Sequence, residues 1–260
     1  MMRTLLVRGM LVGVVAGLLA FLWAHFVGEP PVRAAIGVEE ATAAKEAAAA
    51  GTKVAEEAPL VSRDTQETWG LGTGVIIFSV AIGGFLAMVF AIVYGRVSKL
   101  RARATVAAIC GLGFLAISLV PLTKYPANPP AVGSGDTISE RTEWFFVLIV
   151  IALFAVVAAV RLGKQLSERW GAANATFAAG LLFVVLIAVA HLALPNENEV
   201  KAGFPPQILW DFRLANLGTQ AILWASLAFG FGIAAEHAIE GKPAWWRRDA
   251  ADKSSAATTT

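Results

Sequence analysis

Residues 71–94 read LGTGVIIFSVAIGGFLAMVFAIVY, a run of 24 residues without one charged side chain. As a helix rising about 1.5 Å per residue, such a run covers the ~30 Å hydrocarbon core of a bilayer. Outward from it, comparable runs occupy 9–27, 104–122, 144–160, 172–194 and 214–235. The chain of 260 residues is 57% hydrophobic and 15% charged, with a mean hydropathy of +0.66. A soluble domain carries about 25% charged residues. Here the apolar excess is gathered into blocks, which no soluble core explains. The expected fold is all-α: a polytopic membrane bundle of about six transmembrane helices in a single domain over 1–248.

Arg3 and Arg8 precede the first run as in a signal peptide, but the apolar stretch passes Leu22 and no A-x-A site closes it before Gly28. It is read as a retained anchor. Cytoplasmic loops collect Lys and Arg, so loop charge sets orientation. With six crossings, one side gathers 13 basic and five acidic residues, and the other eight basic and fourteen acidic. Both termini are therefore expected inside. The first external loop, 28–68, holds an Ala/Glu/Lys stretch at 38–58 that suits either a surface helix or a tether. The tail 249–260 is of low complexity and is expected to be a disordered cytoplasmic segment.

Gly9, Gly13 and Gly17 form two overlapping GxxxG steps, and Gly83–Gly84 are a second small-residue site. Such positions let helix backbones approach closely, within the chain or against a partner helix. Three proline pairs, Pro30–Pro31, Pro129–Pro130 and Pro205–Pro206, follow the first, third and fifth runs. A proline pair is expected to stop a helix and impose an extended path. The external segments 122–132 (LTKYPANPPAV) and 194–207 (LPNENEVKAGFPPQ) are the most polar, the second clustering Asn196, Glu197, Asn198 and Glu199. Carboxylates and amide carbonyls suit hard or borderline divalent cations, though such clusters are also ordinary turn chemistry. At the start of the last run, Arg213, Asn216 and Gln220 share one helical face. A polar stripe at membrane depth faces protein or a water-filled cavity, so it lines either a route or an interhelical hydrogen-bond seam.

His25 and His191 lie near the external ends of the first and fifth runs and His237 follows the sixth, a weak basis for a shared metal site. Cys110 lies in an apolar run and reads as a small packing residue. No run contains Asp, Glu, Lys or Arg, and no Walker A, HExxH or GxSxG motif occurs. Nothing demands an enzyme, and the scattered basic residues argue against nucleic acid.

Three segments together resemble a known family: MRTLLVRGMLVGVVAGLLAFLWAHFVGEPPVRAAIGVEE at 2–40, LVPLTKYPANPPAVG at 119–133, and NEVKAGFPPQILWDFRLANLGTQAILW at 198–224. The chain is similar to the proposed cobalt transporter subunits of the CbtA family over most of its length. KYPANPP and FRLxxLGTQ are the distinctive strings; the Ala-rich loop and the tail match poorly. The resemblance implies five to six helices in the bacterial cytoplasmic membrane. It also implies cobalt movement for cobalamin synthesis beside a short, single-spanning, His-bearing partner, CbtB. The positions it carries over are Lys124, Tyr125, Pro126, Asn128, Pro129, Pro130, Asn198, Glu199, Phe204, Pro205, Arg213 and Gln220.

The resulting expectation is an uptake component for cobalt or a nickel-like divalent cation, with no permanently bound cofactor. External Asn128, Glu197, Glu199 and Glu29 would gather the hydrated ion. Arg213, Asn216 and Gln220, with Lys124 and Tyr125, would line the route. The rival reading is a membrane scaffold that holds a metal-binding partner and conducts nothing, favoured by the charge-free spans and the glycine packing steps.

Overall fold

The computed structural model describes residues 2–52, 60–133, 137–196, 199–201, 203–239 and 241. Glu197, Asn198, residues 53–59 and the tail 249–260 lie outside them. Among the described residues there is no β-strand, and five helices are long and apolar enough to cross a membrane. They are α1 (Met2–Ala50), α2 (Arg63–Val93), α3 (Ala102–Lys124), α4 (Ile138–Ala193) and α5 (Pro206–Ile239). In lipid, a helix satisfies each backbone N–H and C=O within its own segment, which is why apolar runs of this length adopt it.

Two of these helices carry prolines without ending there. In α1 a π-helical turn at Ala24–Gly28 precedes Pro30 and Pro31, and the helix runs on through Glu29–Ala50. In α3 a π-helical turn at Phe114–Leu119 precedes Pro121. A proline lacks the N–H that the carbonyl four residues back would accept, and its ring crowds that carbonyl. A wider turn just upstream re-registers the ladder so that the helix continues past the proline. The stop expected at Pro30–Pro31 is therefore not found, and the segment 29–50 is a surface helix. Pro129–Pro130 lie in a non-helical segment and Pro206 begins α5.

The 56-residue α4 is broken at Gly171, whose φ of 76° and ψ of 161° are not helical. A Cβ built on Gly163 would lie 3.3 Å from the Ala179 Cβ, whereas sixteen residues of straight helix would separate them by about 24 Å. The chain thus doubles back at Gly171. Leu148, Ala152 and Ala190 from the two arms share one buried cluster with Ala116, Val120 and Tyr125. Arg161, Lys164 and Arg169 sit on helix up to the break, not in the loop expected between the two runs.

The chain divides into two compact units, one of Met1–Phe21, Trp69–Gly111 and Ala221–Thr260, the other of Leu22–Thr68 and Leu112–Gln220. In the first, the glycine steps are used within the chain. Gly9 meets the Gly83 carbonyl, and a Cβ at Gly13 would stand 2.6 Å from the Ser79 carbonyl oxygen. Arg8 donates to the Ala234 carbonyl at 2.8 Å, and the buried Phe90 ring packs edge-on to Phe231. In the second unit, Ala35, Val132 and Phe204 form a small core beneath the surface helix.

Candidate functional site

The polar groups of interest in the second unit start where α3 ends. Lys124 donates to the His191 carbonyl at 2.8 Å and to Asn196 Oδ1 at 2.7 Å. The last carbonyls of a helix lack intrahelical donors and carry partial negative charge, so a lysine is well placed at this end of α4. Tyr125 is 2% exposed, and its hydroxyl donates to the Pro195 carbonyl at 2.8 Å. His191 Nε2 lies 3.0 Å from the Thr123 hydroxyl, and its Nδ1 lies 3.0 Å from the Ile187 carbonyl. The KYPANPP string thus begins by tying the end of α3 to the end of α4.

The string continues into a charged network. Glu199, with 3% of its side chain exposed, lies 2.9 Å from Arg141 at the start of α4. The same carboxylate accepts from the Thr137 hydroxyl at 2.6 Å and from Asn128 Nδ2 at 3.2 Å. Arg141 also donates to the Pro126 carbonyl. From α5, Arg213 reaches Asn128 Oδ1 at 3.1 Å and the Ala127 carbonyl at 3.3 Å. Arg141 therefore pairs with the carboxylate directly, and a single amide, Asn128, joins Arg213 to Glu199. Asn128 donates with its nitrogen and accepts with its oxygen, so one side chain serves both neighbours.

Further along the α5 face, Gln220 Oε1 accepts from Ser118 at 3.1 Å, in the π-helical turn of α3. Half-buried Asn216 makes no side-chain hydrogen bond among the described residues. Nearby, the Trp23 indole donates to the Ala215 carbonyl at 3.1 Å, and its ring lies over Gly218.

Glu29 belongs to a different cluster. It is buried and pairs with Arg63, while buried Glu67 pairs with Arg33. His25 Nδ1 donates to the Glu67 carbonyl at 3.1 Å. These contacts brace the surface helix of α1 against the start of α2, and all but His25 lie outside the apolar runs. The hydrogen bond from Arg33 holds the Glu67 carboxyl below the usual range, helped by the charge of Arg33 and opposed by burial.

Of the four residues expected to gather an ion, the structure joins Asn128 and Glu199, seats Glu29 in the separate Arg63 pair, and does not describe Glu197. Among the described residues no three of His, Cys, Asp and Glu converge as a metal-binding group. Sequence reasoning passed over Arg141, Thr137, Arg33, Arg63 and Glu67. Arg141 and Arg63 carried a readable signal: each is a basic residue on the acid-rich external side, close to an apolar run.

The family model described as probable cobalt transporter subunit (CbtA) matches residues 2–236. No curated protein and no solved structure matches the chain.

Proposed function

The chain belongs to the CbtA family of probable cobalt transporter subunits, and on that premise we propose that it is the membrane component of a cobalt, or similar divalent cation, uptake system. In this reading it resides in the bacterial cytoplasmic membrane with both termini inside. It crosses six times, because α4 crosses once on each side of Gly171. Cobalt is cargo and not a resident cofactor, and a small single-span, His-bearing subunit is the expected partner.

The observation that supports a route is the polar face of α5. Arg213 sits in the external network, Gln220 meets Ser118 two turns on, and Asn216 between them is unpartnered among the described residues. That spacing covers about 10 Å of helix axis. An amide oxygen with no protein partner is free to replace a water on a passing cation. Gathering by Glu29, Asn128, Glu197 and Glu199 is part of the proposal. For Glu199 to meet an ion, its pair with Arg141 must open.

The same network favours the second reading, a scaffold. Its carboxylate accepts from three donors, and the guanidiniums outnumber it, so a desolvated divalent cation meets net repulsion there. The deciding experiment is radioactive cobalt uptake in cells lacking other cobalt importers, with and without the small partner. Saturable uptake that depends on the chain and falls in Asn216→Leu, at unchanged membrane abundance, supports the route. No uptake under either condition, with the protein present in the membrane, leaves the scaffold.

A further inference from the structure

In the second unit, a groove of ≈ 470 Å³ runs beside the turn of the α4 hairpin. Ligand clefts span about 300–1,000 Å³. Val156, Ala159 and Val160 before the break, and Ala179, Gly180 and Phe183 after it, give the groove its apolar length. Lys164 and Ser167 also line it, one and two helical turns nearer Gly171 than Val160. That end is therefore polar and basic. Arg161 and Arg169 on the same arm are exposed and form no ion pair among the described residues. Trp170, next to the break, is exposed as well, and tryptophan favours the headgroup level of a bilayer.

We propose that this groove holds one anionic phospholipid, with an acyl chain along the apolar walls and the phosphate beside Lys164. Arg161 and Arg169 would add to the local positive potential. The chemistry follows from charge complementarity. An acyl chain leaving bulk lipid for the groove gains no hydrophobic burial, since lipid tails are as apolar as the groove. Selectivity must then come from the headgroup, and basic pockets between transmembrane helices recognise anionic ones. The second arm begins apolar at Ala172, directly opposite the basic first arm. A lipid whose charged head and apolar tail meet at that level matches both. The inference needs only the membrane character of the chain, not its cargo.

The test is native mass spectrometry of the full-length chain extracted from phosphatidylcholine vesicles with and without phosphatidylglycerol. One phosphatidylglycerol is expected to be retained in preference to phosphatidylcholine, and the preference should fall about five-fold for each of Lys164→Gln and Arg161→Gln. Lys99→Gln, remote in sequence and exposed, should change nothing. A Cβ on Gly180 meets no atom within 4 Å, so Gly180→Leu should fill the groove and remove the lipid without lowering the melting temperature of the delipidated protein. Equal retention of the two lipids overturns the proposal. So does retention that survives Gly180→Leu, including the case where that variant instead dissociates a dimer and marks the groove as an interface between copies.

Discussion

At the residue scale, the least replaceable charges are those that hold each other. Glu199→Ala would leave Arg141, with 16% of its side chain exposed, without its countercharge. Stranding one partner of a buried pair costs about 3–5 kcal/mol. Little folded protein is expected in a thermal melt in detergent, and Arg141→Ala combined with Glu199→Ala should recover part of the loss. Full stability of the single variant would show that the pair is solvated in solution. Glu67 makes a different prediction. Its folded carboxyl sits below the ordinary value of about 4.3 because Arg33 donates to the charged form. The folded state therefore binds the proton more weakly than the unfolded chain. Its stabilisation is complete above about pH 4.3 and is lost as pH falls through the lowered value. Melting temperatures taken from about pH 7 to about pH 3 should show a loss that is smaller in Glu67→Gln. Of the residues in these pairs, the carboxylates at Glu199 and Glu29 were legible from the sequence. Their arginines stood out only as basic residues on an acid-rich side; the pairing itself was not legible, because it is a fact of distance and the partners lie 58 and 34 positions away.

At the element scale, glycine and proline act through backbone geometry. Gly171→Ala meets no neighbouring atom within 4 Å, so its cost is that of the φ of 76° alone. That region is nearly exclusive to glycine, and the expected loss is about 1–3 kcal/mol, read as a lower melting temperature. An unchanged melt would mean that the hairpin relaxes into another turn. Gly13→Leu is the harsher change, because even a Cβ there would stand 2.6 Å from the Ser79 carbonyl oxygen. The close approach of α1 and α2 should be lost, and with it the folded protein in the membrane. The small-residue spacing announced a helix contact in advance, but its partner, the Ser79–Gly83 face, was settled by packing. The stop expected at Pro30–Pro31 failed for a related reason. Proline removes one donor and crowds one carbonyl, and whether the helix ends or widens by one residue depends on what packs beyond it. Ala35, Val132 and Phe204 supply that packing for the continuation of α1.

At the whole-molecule scale, the proposed topology predicts sidedness. Cysteines replacing Thr42 and Lys201 should react with an impermeant maleimide in intact cells, and those replacing Lys99 and Gln165 only after permeabilisation. Labelling of Gln165→Cys from outside would mean that the α4 hairpin does not cross twice. Sequence alone determined that the chain is helical and of membrane character, since a charge-free run of this length has no other way to satisfy its backbone in lipid. It also determined the family, through the KYPANPP and FRLxxLGTQ strings. What only the tertiary structure decided is which polar groups meet. Asn128 is held between Arg213 and Glu199, Glu29 is drawn off to Arg63, and Asn216 has no side-chain hydrogen bond among the described residues. Hydropathy and spacing act along the chain and can be read there. Hydrogen bonds and ion pairs decay within a few ångströms, so they belong to residues that only folding brings together.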